Sequence, residues 1–249
     1  MRLIFIIIFI CLVSIAFGQR KNTKSKKAKK EPFHYLSNCK TNAEIEQLNS
    51  KLEIIYYLHM GEFSNQEQMD TTNNPELKLQ EIIRVPIWRK ERVGEYWGIS
   101  NLMVPNFPDK AVGQIVFKFS KLNRDTFLLE NFGVPETMKG ALWAYEKGYA
   151  DFKPSDLIKL DCQHFLVGDK MEYRLFLPEG QSPCDGKDIS ATVSAFELGG
   201  VISLWGAKST TTYYAADGKI LRSNKDNPVY LKRGDVKQPK YKTFFNNKS

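Results

Sequence analysis

The sequence predicts a mainly β domain, an antiparallel barrel or sandwich preceded by one helix. Two observations support this prediction. Most of the chain after residue 80 consists of short segments rich in β-branched and aromatic residues, separated at close intervals by Gly, Pro, Asn and Asp. Such spacing is typical of all-β barrels and sandwiches. Before these segments, one stretch has its apolar residues at helical spacing.

The first 18 residues have the composition of a secretory signal peptide. Arg2 precedes an apolar run over residues 3–17, and Ala16 and Gly18 supply the small residues of a cleavage site after Gly18. We therefore expect an exported protein, periplasmic, in the outer envelope or secreted, without a stable membrane span after cleavage. An uncleaved anchor is the alternative, although the run is short for a span of ~20 residues.

Basic residues are concentrated near the two ends of the chain. The formal net charge is +8, but the run RKNTKSKKAKK at 20–30 contains no acid, and residues 232–249 contain only Asp235. The body between them has more acidic than basic residues, which argues against nucleic acid as a partner. We predict a disordered basic linker at 19–40, a folded domain at 41–233 and a basic tail at 234–249.

The helix is predicted over residues 43–60. Thr41 or Asn42 suits its N-terminus, and Gly61 is a natural stop. The residues that recur at helical spacing are Ile45, Leu48, Leu52, Ile55 and Leu58. His59 lies where it can hydrogen-bond the last carbonyls. A polar cluster follows in the sequence HMGEFSNQEQMD at 59–70.

The predicted strands follow one another closely. Their residue ranges are 81–88, 95–104, 113–120, 125–132, 163–168, 171–177, 189–198 and 200–207, with another around the Asp217-Gly218 turn and a last one at 227–233. A short helix is predicted within residues 135–152, where Met138 and Leu142 share a face.

Three cysteines remain after signal cleavage: Cys39, Cys162 and Cys184. In an oxidising compartment two of them are expected to pair. Cys162 and Cys184 flank two apolar runs joined at VGDK, and a hairpin there brings their ends together. We therefore predict the disulfide Cys162–Cys184 and leave Cys39 free.

The usual catalytic and metal-binding motifs do not occur in the sequence. Instead, polar and aromatic residues alternate within strands. Arg84 and Trp88 are predicted on one face of their strand, where Arg84 suits a carboxylate ligand. The further residues expected to line the same space are Tyr96, Trp97, Tyr173, Arg174, Glu197 and Trp205. The alternative is that the aromatic residues are core and the arginines are solvated.

Small residues share one predicted strand face. They are Ala191, Val193 and Ala195, followed by Glu197. If this face points inward, it leaves room for a ligand. The same face equally suits the packing of a helix.

The sequence GEFSNQEQ at 61–68 and the strand RVPIW at 84–88 resemble the CpcT/CpeT family of phycobiliprotein chromophore lyases. That family has a glycine–x–Phe–Ser–Asn motif with a glutamine soon after it. Cys162 and Cys184 match two cysteines that the family joins in a disulfide, and the late DGK turn and YLKR occur in the family's order. The resemblance covers residues 43–233 and implies a calycin-like antiparallel β-barrel of about nine or ten strands.

The resemblance also implies a function, because known members bind a bilin (a linear tetrapyrrole) and attach it to a cysteine of a phycobiliprotein. The residues on family motif positions are Phe63, Asn65, Gln66, Gln68, Arg84 and Pro86. Arg84 would pair with a propionate, and the amides would hydrogen-bond pyrrole or lactam groups. The family's Glu-Gln pair is replaced by Ser100-Asn101, which removes an acid, and export would separate the protein from phycobiliproteins.

We thus expect a lyase-like protein that binds a bilin or related tetrapyrrole and transfers it to an acceptor protein. The alternative is a non-catalytic, lipocalin-like exported barrel for an apolar or acidic ligand; an envelope protein that uses its basic arm is a third. No cofactor is required, and the sequence leaves the oligomeric state open, with a homodimer as one candidate. The predicted ligand-binding residues are Phe63, Asn65, Gln66, Gln68, Arg84, Trp88, Tyr96 and Glu197.

Overall fold

A computed structural model of the chain describes residues 36–75, 77–104, 107–135, 152–169, 171–186 and 192–238. All of them belong to one compact unit, Phe33–Ser249. The predicted signal peptide, most of the basic linker and tail, and the predicted helix within 135–152 lie outside the described residues. In the described part, no helix combines the length and apolar character that a membrane crossing requires.

The described chain forms one twelve-stranded antiparallel sheet. Its strands are β1 (Gly61–Ser64), β2 (Glu81–Ile87), β3 (Tyr96–Val104), β4 (Phe107–Lys121), β5 (Thr126–Gly133), β6 (Ile158–Asp169), β7 (Glu172–Phe176), β8 (Cys184–Asp185), β9 (Ala195–Ser203), β10 (Gly206–Tyr214), β11 (Ile220–Ser223) and β12 (Val229–Arg233).

The sheet closes on itself. Strands β1 to β7 are neighbours in chain order, and the circle continues through β9, β10 and β12 back to β1. The short strands β8 and β11 attach to this ring at β9 and β10. The prediction of an antiparallel barrel of nine or ten strands is therefore confirmed, with ten strands in the closed ring.

Two helices replace the single helix predicted at 43–60. They are α1 (Asn42–Glu46) and α2 (Lys51–Leu58), and α3 (Gln66–Thr71) follows β1. The one-helix prediction was wrong because Ser50 starts a new helix: its side chain accepts the Glu53 N–H at 3.4 Å. Gly61 was expected to end the helix. Instead it has φ 130° and is the first residue of strand β1.

Another prediction failed at Gly199 and Gly200. The segments 189–198 and 200–207 were expected to be two strands, but β9 runs straight through both glycines. There they pair with Thr210 and Ser209 of β10. Of the small-residue face predicted for 191–197, Ala191 lies outside the described residues, and β9 begins at Ala195.

Both faces of β2 are covered, and apart from Arg84 and Glu81 both are apolar. Ile83, Val85 and Ile87 face outward into a cluster closed by Leu36 and Phe152. The other face looks into the barrel, where α2 closes one end with side chains that are almost wholly buried. Leu36 lies in the predicted linker and Val236 in the predicted tail, and both are buried. The packed domain thus extends beyond 41–233 on both sides.

Candidate functional site

The interior of the barrel contains a chamber of about 180 Å³. Its walls come from β2, β3, β4, β5, β7, β9 and β10, and the end of α2 closes it. The polar side chains that line it include His59, Arg84, Ser100 and Asn131, and the apolar ones include Ile115, Phe117, Phe119, Leu129, Leu175, Leu198 and Ile202. Apolar walls with a few convergent polar groups are typical of small-molecule sites.

Arg84 is partly buried and is the less exposed of the two cationic residues, Arg84 and Lys208, that line this chamber. It projects from β2, its guanidinium lies 5.0 Å from the centre of the Phe63 ring, and its Nε donates to Ser100 Oγ at 3.4 Å. Burial lowers the pKa of Arg84 from 12.5 to about 10. Within the described part of the chain, no carboxylate forms an ion pair with Arg84. The chamber is therefore electropositive.

His59 is placed beside Arg84 by the end of α2. Its Nδ1 lies 2.8 Å from the Ile55 carbonyl oxygen, as the sequence predicted for a helix-terminal histidine. Because a carbonyl only accepts, we assign the proton to Nδ1, and Nε2 then keeps its lone pair. Burial, followed by the Arg84 charge, lowers the pKa of His59 to about 3. The ring is neutral at physiological pH.

Asn131 extends the polar side of the chamber towards β6. Its Nδ2 lies 3.3 Å from His164 Nδ1, and burial lowers the pKa of His164 to about 4. Neither residue was among the predicted site residues. A signal was present for Asn131, because it continues the alternation of Phe127 and Leu129 along β5, which puts a polar residue on an apolar inward face.

The motif around Asn65 binds the protein's own backbone. Asn65 is fully buried, its Nδ2 donates to the Lys78 carbonyl at 2.9 Å, and its Oδ1 accepts the Gln80 N–H at 2.7 Å. Gln68 donates to the Pro228 carbonyl at 3.0 Å and accepts the Tyr230 N–H at 2.9 Å. Both amides hold loops and β12 in place, and neither lines the chamber.

The other predicted site residues are spread over different surfaces. Phe63 stacks under Arg84 inside the barrel, and Tyr96 packs in the barrel core beside Tyr56, with ring centres 5.3 Å apart. Gln66 is exposed and donates to Asp70 at 2.8 Å. The structure thus places Phe63 against Arg84, of which only Arg84 lines the chamber, and leaves Gln66 on the surface.

Two predicted placements were wrong. Trp88 does not share a face with Arg84: at φ 54° it leaves the strand alternation and packs in the outer cluster against Trp97, with ring centres 5.3 Å apart. Glu197 points to the outside of β9, where its carboxylate lies 3.2 Å from Lys225 Nζ.

Three further residues were expected to line the same space. Tyr173 is fully buried inside the barrel, whereas Arg174 is on the outer face and Trp205 is 78% exposed at a turn. Adjacent residues of a strand point to opposite faces, so Tyr173 and Arg174 were mutually exclusive candidates.

The Cys162–Cys184 disulfide is present, as the sequence predicted, with a Cα–Cα distance of 4.7 Å. It joins β6 to β8. Cys39 is the free cysteine among the described residues. Cys39 is partly buried, and desolvation raises the pKa of its thiol to about 12, which disfavours the nucleophilic thiolate form.

Comparison with known proteins finds similarity in structure but none in sequence. No protein-family model matches the chain, and no curated protein sequence matches it significantly. The CRL protein of Arabidopsis is 13% identical with a TM-score of 0.54, over 78% of this chain and 100% of that one. The T-type phycobiliprotein lyase CpeT from Prochlorococcus phage P-HM1 is 8% identical with a TM-score of 0.42, over 75% and 99%.

These similarities concern the fold. The match to the CRL protein shows that the barrel is an architecture seen in a solved structure. At 8 to 13% identity neither match assigns an activity. Membership of the CpcT/CpeT family therefore stays a prediction from the GEFSNQEQ motif.

Proposed function

We propose that this protein is a binding barrel for a small apolar molecule that carries an acidic group, with Arg84 as the anchor of that group. The observation that supports the proposal is a cationic guanidinium inside an apolar chamber, with no described carboxylate paired to it. An isolated buried charge is costly, and proteins usually neutralise it with a partner. A ligand carboxylate would be that partner.

The surroundings of Arg84 suit such a ligand. A carboxylate at the guanidinium would form charge-assisted hydrogen bonds, which are about twice as strong as neutral ones. Ser100 lies within reach of the same group, and His59 presents a neutral ring rather than a second cation. Phe117, Phe119 and other apolar residues would cover the rest of the ligand.

The volume of the chamber limits what enters it. A dry cavity of about 150 Å³ holds one benzene molecule, whereas drug-sized ligands occupy about 300–1,000 Å³. At about 180 Å³, the chamber accommodates one aromatic ring or a short alkyl chain with its acidic group. A larger ligand would extend beyond it.

Binding requires only groups that are present. The described residues that line the chamber include no carboxylic acid and no thiol. Where the family has its Glu-Gln pair, Ser100 faces the chamber, and Asn101 faces the other way, where its Nδ2 lies 3.4 Å from the Ile83 carbonyl. A transfer reaction would need an acid or nucleophile from elsewhere, and the non-catalytic barrel is the simpler proposal.

A bilin is the second candidate ligand. The GEFSNQEQ resemblance suggests it. Arg84 would donate hydrogen bonds to one propionate in the chamber, and the pyrrole rings would extend outside. Attachment to an acceptor protein belongs to this second proposal, whereas export, which would separate the protein from phycobiliproteins, fits the first. Phycocyanobilin mixed with the purified protein should then show a shifted visible absorbance; an unchanged spectrum at ~10 µM protein, a concentration that a micromolar site would report, would rule out the bilin.

The acidic-ligand proposal is tested by calorimetric titration with benzoate and with its neutral analogue benzamide. Benzoate should bind the wild type, benzamide should bind far more weakly, and Arg84→Met should weaken benzoate by about 10- to 150-fold, as expected for a hydrogen bond to a charged group. Arg222→Met, an exposed arginine on β11, is the matched control. Equal binding of the two ligands, or an Arg84→Met variant that binds normally, would reject the proposal.

A further inference from the structure

A second cavity of about 420 Å³ lies against the outside of the barrel wall. It is formed by β7, β9 and β10. Six residues line both this outer groove and the inner chamber: Leu175, Leu198, Gly199, Gly200, Val201 and Lys208. The two cavities are therefore neighbours across one short piece of wall.

The wall is incomplete at that place. The pairing of β7 with β9 runs from Glu172 opposite Ser203 to Leu175 opposite Gly200, and it stops there, so Phe176 and Gly199 do not pair. Both glycines also lack the side chains that would thicken the wall. A Cβ at Gly200 would lie 1.9 Å from the Lys208 carbonyl oxygen, so this position requires glycine. Residues that line both cavities lie around the end of the β7–β9 ladder.

The outer groove is electropositive. Its charged residues are Arg174, Lys208, Lys225 and Glu197. The single acid, Glu197, is paired with Lys225 at 3.2 Å. Arg174 and Lys208 contact aromatic rings, Phe176 and Tyr230 respectively, each at 5.7 Å. Neither of these two forms an ion pair with a carboxylate in the described part of the chain.

We propose that the outer groove is a second anion-binding subsite and that the ligand is an elongated apolar molecule with two acidic groups. One acidic group would lie in the chamber at Arg84, the apolar body would pass the end of the β7–β9 ladder beside Leu198, and the other group would lie in the groove at Arg174 and Lys208. This inference rests on the proposed function, because it requires an acid at Arg84. It adds a ligand class that the chamber alone does not specify.

The probes are straight-chain monocarboxylates from hexanoate to hexadecanoate and the matching α,ω-dicarboxylates, titrated calorimetrically. Short diacids should bind only about twofold more tightly than the monoacids, because either of their two equivalent ends can occupy the site at Arg84. Above a threshold length, the diacid should bind about fivefold tighter, the range of an exposed ion pair. This extra affinity of the long diacids should be lost at about 0.5 M salt, where exposed ion pairs are screened.

Arg174→Gln is the decisive variant, because Arg174 lines the groove and not the chamber. It should abolish the gain of the long diacids and leave the monoacids unchanged, while Arg222→Gln should change neither. If monoacids bind through Arg84 but long diacids gain nothing, or keep their gain in Arg174→Gln, the second subsite is refuted and the proposed function stands. If no acid of either series binds, both proposals fall together.

Discussion

Replacing Arg84 by Met should stabilise the ligand-free protein. Met keeps a long, unbranched side chain and removes the buried charge. The change in pKa from 12.5 to about 10 corresponds to about 3 kcal/mol of unfavourable free energy for the charged form in the folded state, at about 1.36 kcal/mol per pKa unit. Since the folded-state pKa is lowered, this cost applies throughout the pH range below about 10.

Part of that stabilisation is offset because Met cannot reproduce two favourable interactions of the guanidinium. The hydrogen bond to Ser100 at 3.4 Å contributes about 1 kcal/mol, and the cation–π interaction with the Phe63 ring contributes about 0.5–1 kcal/mol. A net stabilisation of about 1–2 kcal/mol remains, which in a domain of this size raises Tm by about 3–6 °C.

The assay is urea and thermal unfolding at pH 7 in a buffer without carboxylates. Arg222→Met, which changes an exposed arginine, should stay within about 0.5 kcal/mol of the wild type. Added benzoate should raise the Tm of the wild type and not that of Arg84→Met, by ligand linkage. An Arg84→Met protein that loses more than about 1 kcal/mol would mean that the guanidinium is already well compensated, and the anionic-ligand reasoning would then be wrong.

Three further predictions concern the scaffold. Asn65→Ala should lose about 1–3 kcal/mol of unfolding free energy, because it removes two partly buried hydrogen bonds to the backbone. Gln66→Ala, at an exposed position, should be neutral, and equal effects of the two substitutions would refute the loop-fixing role. Reducing Cys162–Cys184, which closes a loop of 22 residues, should cost about 3 kcal/mol, and an unchanged Tm with a phosphine reductant would contradict this. The difference in unfolding free energy between wild type and His59→Gln should decrease by up to about 1.4 kcal/mol per pH unit as the pH falls from 6.5 towards 3. The reason is that the histidine takes up its proton at a higher pH in the unfolded state than in the folded state. A difference in urea unfolding that does not depend on pH would contradict this prediction.

The strand signals, which are repeated and local, were sufficient to predict an antiparallel barrel or sandwich, and the family resemblance selected the barrel. Ten closely spaced segments with turn residues between them leave few architectures open. The failures occurred where one local signal has two meanings. Ser50 sits inside a helical pattern yet caps a second helix, and Gly199 and Gly200 resemble a turn but lie in a strand where backbone approaches closely.

The site was predictable only in part. Arg84 was identified because it lies in a predicted strand, suits a carboxylate ligand and falls on a family motif position, and the structure places it on the inner chamber. Face assignment failed for Trp88, since a positive φ cannot be deduced from residue type. Asn65 and Gln68 illustrate a different limit: buried amides that hold backbone and amides that hold a ligand have the same sequence signature.

Closure of the ring by β12 determines when this protein can fold. The last strand pairs with the first, and Arg233 donates hydrogen bonds to the Lys40 and Met60 carbonyls at 2.7 and 3.0 Å. A chain still emerging from the ribosome lacks this strand, so β1 and β10 remain open edges until nearly the whole domain has been synthesised. Premature termination before residue 229 would accordingly yield an aggregation-prone chain rather than a weaker binder.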